Sequence, residues 1–289
     1  AILTVGYFSE KKIYFILFFA SAFSIFEFLR GNILSGFPWN IISYTWAWSE
    51  EIIQILSIIG TYSLSLISIT FFCIPFLFFQ KKDVKKNIVF LFIFLTIFVC
   101  NYLFGHYKMN NNKYDFDESI YVKIVSPSFS LKDYSTQSEF NQLERLIKIS
   151  DPNKNKKTLF IWPEGIFYES HLENLILYKD LFINNFSENH LIVLGINNFI
   201  NPSNSMEKKY FNSLVVLNNK LEILSVYNKI NLVPFGEFLP FEKTLSKFGF
   251  KKVTFGYNSF SPGNKRKIIN LGNNFNERLI LPLICYEII

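Results

Sequence analysis

The chain has 289 residues, half of them hydrophobic and 19% aromatic, with 35 Phe and a net charge of +6. Only 18% are charged and the mean hydropathy is +0.22, whereas soluble globular chains carry about 25% charged residues. This excludes an intrinsically disordered chain and a disulfide-stapled secreted domain, and the lysines cluster beside apolar stretches, a pattern of membrane topology rather than of nucleic-acid binding.

The chain begins at Ala1 without the charged-then-apolar layout of a signal peptide and stops at Ile289 in an apolar run. A piece of a longer protein, cut at both ends, is expected. Residues 1–107 read as a transmembrane region with spans at 13–29, 52–79 and 88–104. A stretch of about 17 residues rises roughly 25 Å, near the lower limit for crossing a bilayer. Phe, Ile and Leu on every face favour spanning over a set of buried core helices.

Lys11 and Lys12 precede the first span, and Lys81, Lys82, Lys85 and Lys86 lie between the second and third. Two crossings separate the clusters, so both fall on one side, the cytoplasmic side by the positive-inside rule. Everything after the third span then faces the opposite, non-cytoplasmic side, which predicts a multi-pass membrane protein. Within the first span, Glu27 and Arg30 are one turn apart. An ionisable residue there is a functional hypothesis by default, but an i,i+3 ion pair near the outer interface is the simpler expectation. Trp39, Tyr44, Trp46 and Trp48 suit an interfacial aromatic belt or a lipid gateway.

Residues 108–118 form a polar linker, and 119–289 a soluble domain. Strands are predicted at 120–125, 158–162, 191–196, 213–217, 221–226 and 279–284. Asn218-Asn219 suits a type I′ hairpin turn, because Asn tolerates positive φ. Thr136 with Glu139 makes a capping box ahead of a helix whose apolar face is Phe140, Leu143 and Ile147. Mixed strands and helices indicate an α/β or α+β sandwich.

Three segments hold residues that composition does not explain. Phe160-Ile161-Trp162-Pro163-Glu164-Gly165 is an apolar strand ending in a carboxylate. Desolvated by Trp162, Glu164 would have a raised pKa suited to general-base work; the alternative is a solvated loop Glu. Lys229 follows a strand in the apolar stretch 227–240, where it needs an anionic partner or a developing oxyanion, unless it snorkels to the surface. Glu237 sits in the Pro/Gly-rich loop after it. In Leu283-Ile284-Cys285-Tyr286-Glu287, Cys285 ends an apolar strand. Its thiol is a nucleophile if a base removes the proton, or else a small buried hydrophobe. Cys73 and Cys100 lie in apolar runs as packing residues, and the three Cys without a CxxC assemble neither a disulfide framework nor a zinc site.

In the order Glu, Lys, Cys, these segments resemble the nitrilase (carbon–nitrogen hydrolase) superfamily. More narrowly, they resemble its membrane-embedded apolipoprotein N-acyltransferase branch, through GFPWN at 36–40, WPEG at 162–165, NKINLVPFGEFLP at 228–240, SPG at 261–263 and ICYE at 284–287. The resemblance covers essentially the whole chain. It implies transmembrane helices followed by an αββα sandwich, incomplete at the C-terminus, with Glu164 as general base, Lys229 stabilising the oxyanion and Cys285 as nucleophile. Glu237, Tyr286 and Glu287 would be supporting residues that shape the site and the acyl-chain opening. The family's loop Trp is absent from Ser126-Pro127-Ser128-Phe129-Ser130-Leu131-Lys132-Asp133-Tyr134, where Tyr134 is the candidate substitute.

The implied activity is transfer of a fatty acyl chain from a phospholipid to the α-amine of a diacylglyceryl-cysteine apolipoprotein, through a thioester on the enzyme. The implied partners are those two lipids and the membrane, with no nucleic acid, no metal and no organic cofactor, and a monomer is expected. Two alternatives stand beside it. One is a membrane-tethered amidase of the same triad acting on a small amide, and the other is a non-catalytic scaffold or transporter fragment.

Overall fold

The computed structural model describes residues 12–33, 36–79, 83–111, 119–129, 138–167, 170–201, 208–252 and 259–288. The chain folds as two compact units, Ala1–Asp115 and Phe116–Ile289.

The first unit is helical: α1 Lys12–Asn32, α2 Glu50–Ile53, α3 Leu56–Ile59, α4 Thr61–Cys73 and α5 Val84–Asn111, with 3-10 turns at Ile42–Trp46 and Ile74–Phe78. Among the described residues, three helical stretches are long and apolar enough to cross a membrane, Ile13–Asn32, Thr61–Phe78 and Val84–Asn111. Phe92, Val99 and Leu103 on α5 stand exposed, as expected of helices solvated by hydrocarbon rather than water. The predicted span 52–79 is not one helix. The chain breaks at Gly60, whose φ is +75°, and its first third forms the short α2 and α3.

Polar side chains tie these helices together by capturing backbone or hydroxyl partners, the usual means where apolar contact alone does not drive helix association. Asn87 Nδ2 donates to Leu77 O at 2.9 Å, and Asn101 Nδ2 to Ile52 O at 3.0 Å. Ser43 N donates to Ser65 Oγ at 3.1 Å, and Trp46 Nε1 to Ser68 Oγ at 2.8 Å. The expected Glu27–Arg30 pair is not among the ion pairs of the described residues. Glu27 is buried instead, and its Oε1 accepts the Ile42 N–H at 3.0 Å. The segment after α1 presents a backbone donor to the carboxylate, while Arg30 stays exposed.

The second unit is built on a five-stranded sheet, β1 Tyr121–Ile124, β2 Thr158–Ile161, β3 His190–Ile200, β4 Lys209–Asn218 and β5 Ile223–Asn228, in that spatial order. β1, β2 and β3 are parallel, whereas β3–β4 and β4–β5 are antiparallel. The parallel joins need crossovers, supplied by α6 Glu139–Ser150 and α7 Lys179–Asn185. Alternate strand residues serve two cores. Phe160, Ile192, Leu194, Val215 and Leu217 pack with Leu143, Leu146, Phe182 and Phe186. Leu159, Leu191, Val193, Val216 and Tyr227 pack with Ile269, Leu271, Phe275 and Ile284 from the two-stranded ribbon β6 Ile269–Asn270 and β7 Leu279–Ile280 and its flanks.

Three local expectations need correction. The hairpin is wider than a two-residue type I′ turn. Asn218 Oδ1 accepts the N–H of Lys220 and of Glu222 at 2.9 Å, and Leu221 takes the positive φ, +60°. Helix α6 is capped by Ser138, whose Oγ accepts from Asn141 N at 3.3 Å; Thr136 lies outside the described residues. Its buried face is Leu143, Leu146 and Ile147, while Phe140 is exposed. The last predicted strand, 279–284, pairs only over Leu279–Ile280, because Pro282 has no N–H for a ladder.

Candidate active site

β2 ends at Ile161, and Trp162 continues into the second unit's core, where its Nε1 donates to Ser150 Oγ at 3.0 Å. Two residues on, Glu164 occupies a turn that presses onto β3. A Cβ on Gly195 would lie 2.9 Å from the Glu164 Cα, so only glycine lets the strand pass beneath. Glu164 is exposed. The expected desolvation by Trp162 does not occur, because that indole turns to the α6 side of the sheet.

Lys229 follows β5 directly. It is 1% exposed, and its Nζ is held by both oxygens of Glu237, at 2.9 Å each. Glu237 stands in a tight turn in which Phe235 takes φ +63°; its Oε2 also accepts the Val233 N–H at 2.8 Å. An ion pair this buried needs every remaining polar group satisfied, and Asn212 on β4 contributes. Its Nδ2 donates to Glu237 Oε1 at 2.8 Å and to Glu164 Oε1 at 2.6 Å, while its carbonyl accepts the Lys229 N–H at 2.9 Å. Glu164, Asn212, Glu237 and Lys229 thus form one hydrogen-bonded chain.

The SPG segment closes over this chain. Phe260 N donates to Glu237 O, Ser261 N to Tyr210 O and Gly263 N to Lys229 O, at 2.7–2.8 Å. A Cβ at Gly263 would stand 2.1 Å from Asn228 O. The half-buried Lys252 lies over the Phe260 ring at 5.4 Å. Burial pushes its ammonium below the usual lysine value, against the opposing fields of Glu237 and Glu242.

Glu287 organises the third segment. Its Oε1 accepts the N–H of Ile230 at 2.8 Å and of Asn231 at 3.1 Å, and its Oε2 that of Ile284 at 2.9 Å. Tyr227 Oη donates to both oxygens at 3.0 Å. This ties the Tyr227 side chain and the backbone just after Lys229 to the backbone around Cys285. Burial first, and then the neighbouring Glu287 carboxylate, pushes the Tyr227 phenol up to about 12. Tyr286 is buried with its ring 5.2 Å from Lys229 Nζ.

Cys285 is exposed and begins the 3-10 turn Cys285–Ile288. Its φ of +55° is uncommon for a side chain with a Cβ. No hydrogen bond joins Cys285 to Glu164 or Lys229 among the described residues. Tyr134 lies outside them. The structure therefore connects Glu164, Lys229 and Glu237 directly, and brings Tyr286 and Glu287 against Lys229 and its flanking backbone. Asn212 and Tyr227 escaped the sequence reading. The one available signal was an Asn inside the apolar strand pattern 210–217, where that residue is disfavoured.

The molecule thus pairs an apolar helical unit with an α/β unit whose sheet end carries a buried lysine–carboxylate centre beside an exposed thiol. The family model for the apolipoprotein N-acyltransferase N-terminal domain matches residues 1–74. The apolipoprotein N-acyltransferase of Rickettsia prowazekii (strain Madrid E) is 31% identical over 98% of this chain and 55% of its own length. Those of Brucella melitensis biotype 1 (29%, covering 95% and 52%) and Allorhizobium ampelinum (26%, covering 93% and 51%) match similarly. The chain spans about half the length of the curated relatives it matches. A solved amidase from Neterenkonia sp. AN1 aligns at 14% identity over 58% of this chain and 55% of its own, with a TM-score of 0.29; nothing about the fold rests on that likeness. In sequence, the chain is similar to these apolipoprotein N-acyltransferases along nearly its whole length.

Proposed function

We propose that the chain is part of a bacterial membrane enzyme that moves a fatty acyl chain from a phospholipid to the N-terminal α-amine of a diacylglyceryl-cysteine lipoprotein. The observation that carries this reading is the buried Lys229, fixed between Glu237 and Tyr286 with Glu164 linked to it through Asn212. Glu164 takes the Cys285 thiol proton, and the thiolate attacks the sn-1 ester carbonyl of the phospholipid. The Lys229 ammonium stabilises the oxyanion of the tetrahedral intermediate. Its collapse leaves a thioester on Cys285, and the lysophospholipid alkoxide departs with the proton held by Glu164. The lipoprotein amine then attacks the thioester, its proton passes to Glu164, and the amide leaves as Cys285 regains its proton. This is covalent catalysis in two half-reactions, with no metal or organic cofactor.

Residues 1–107 are the transmembrane region in this reading, 108–118 a linker and 119–289 part of a nitrilase-like αββα domain on the periplasmic side. The two-layer cores about the sheet and the three apolar helices support that assignment. A small-amide hydrolase would use the same groups with water resolving the thioester; the membrane-spanning helices favour lipid substrates over it. Intact mass spectrometry of the full-length protein incubated with phospholipid alone tests the proposal. A fatty-acyl adduct released by neutral hydroxylamine and absent from Cys285→Ala is expected. Folded, membrane-inserted protein that gains no adduct overturns the lipid-donor reading.

A further inference from the structure

Within the helical unit, a groove of about 390 Å³ lies between α3, α4 and α5, lined by Ile59, Leu64, Ile97, Phe98 and Phe104. Its volume falls at the small end of the range for ligand sites. One polar side chain breaks the apolar lining. Asn101 is 8% exposed; its Nδ2 is used on Ile52 O, but its Oδ1 is buried with no partner among the described residues. An acceptor in that position calls for a donor. Bilayer alkyl chains fill the apolar part and donate nothing. A water needs two to four polar partners, and apart from Cys100 the rest of the lining is apolar.

Ile97, Asn101, Phe104 and Lys108 follow one another at helical spacing on a single face of α5. The face therefore runs from hydrocarbon-like, through a lone acceptor, to a cation about 10 Å further along the axis. Lys108 Nζ is held by Ser57 Oγ at 2.7 Å, on the same α3 that carries Ile59. That order matches a single-chain glycerophospholipid, with an acyl chain, a free glycerol hydroxyl to donate and an anionic phosphate.

We propose that this groove is a lysophospholipid site, with the free glycerol hydroxyl donating to Asn101 Oδ1 and the phosphate against Lys108. Binding is independent of the function proposed above. The further role, receiving the lysophospholipid released when the thioester forms, rests on that reading. A diacyl phospholipid has an ester in place of the hydroxyl and leaves Asn101 unpartnered, so the groove favours the product over the donor.

The test uses the full-length protein in the Cys285→Ala form, so that no turnover occurs, and measures equilibrium binding in detergent micelles. The probes are monoacyl phosphatidylethanolamine with a free glycerol hydroxyl and its hydroxyl-methylated analogue. The free-hydroxyl lipid should bind about tenfold more tightly, the worth of one buried hydrogen bond. Asn101→Leu should reduce that ratio to about one, and Ile97→Trp, which fills the groove, should weaken both lipids. Equal binding of the two lipids to protein with Asn101 intact overturns the proposal, as does a ratio that survives Asn101→Leu or binding indifferent to Ile97→Trp. The comparison of lipids needs no change at Asn101, so a misfolded variant does not blunt it. A failed acyl-enzyme assay with a positive binding ratio would remove the enzymatic reading and leave the site.

Discussion

The two units treat buried polar groups in opposite ways. In the helical unit they are dispersed along the helices, as Asn87 is where it donates to Leu77 and Asn101 where it donates to Ile52. Each acts as a pin between helices whose outward faces remain apolar. In the sheet unit they are gathered: Lys229, Glu237 and Glu287 are all at least nine-tenths buried, and share donors and acceptors from three segments far apart in sequence. Dispersed polar contacts specify how helices pack, and damage to one stays local. A gathered, charged centre makes each member depend on the others, and this coupling is what a reaction site requires.

The largest break in that contrast should come from Lys229→Met. Removing the ammonium leaves the Glu237 carboxylate buried without its cation, a loss of about 3–5 kcal/mol. Acyl-enzyme formation should fall steeply even in protein that still inserts into membranes. Thermal unfolding and single-turnover mass spectrometry measure the two effects, and near-normal turnover would remove the oxyanion role.

Glu287→Ala should come next, at about 3 kcal/mol, because it strands several buried donors together. Burial of Tyr227, with the Glu287 contact second to it, predicts an alkaline limit. The Tyr227 phenol titrates near 12 in the folded chain against 10.0 when unperturbed, so between those values the folded state holds a proton that the unfolded state loses. Stability from this group is complete below pH 10.0 and disappears as pH rises through about 12. Urea titrations across that window should show the slope, and Tyr227→Phe should flatten it.

Asn212→Leu should cost about 1 kcal/mol of stability and slow thioester formation by about tenfold, since Glu164 loses its link to Glu237. An unchanged rate would make Asn212 a purely structural residue. Asn87→Leu should be the mildest, at about 1 kcal/mol or less, with acyl transfer intact. A loss of activity there would contradict the dispersed character of the helical unit.

Much of the fold is written in short-range pattern. Strands β1 and β2 begin and end within a residue or so of their apolar runs; on β2 both sheet faces are covered and burial enforces the pattern, whereas β1 is largely exposed and is held by its pairing with β2. β3 and β4 run longer than predicted, since pairing with each other over ten positions extends them past the apolar segments. Lys229 stood out because an ammonium in an apolar stretch demands a partner; Glu164, Glu237 and Glu287 took their roles only from the resemblance that their segments carry together. The partner was not legible. That Glu237 holds Lys229 follows from a turn at 233–237 with Phe235 at positive φ, a conformation without a strong marker at that position.

The sequence by itself determined the division into an apolar helical part and a mixed sheet part, the places where charge is out of keeping with its surroundings, and the resemblance those places carry. These follow from composition and period, which are local properties. Only the tertiary structure decided that Glu27 takes a backbone N–H instead of Arg30 and that Trp162 faces the core instead of Glu164. It also placed Asn212 between two carboxylates 48 and 25 residues away in the chain. The reason is physical. A side chain's preference for burial or charge is intrinsic, but the donor that reaches it depends on how distant segments cross, and no periodicity in the sequence records that.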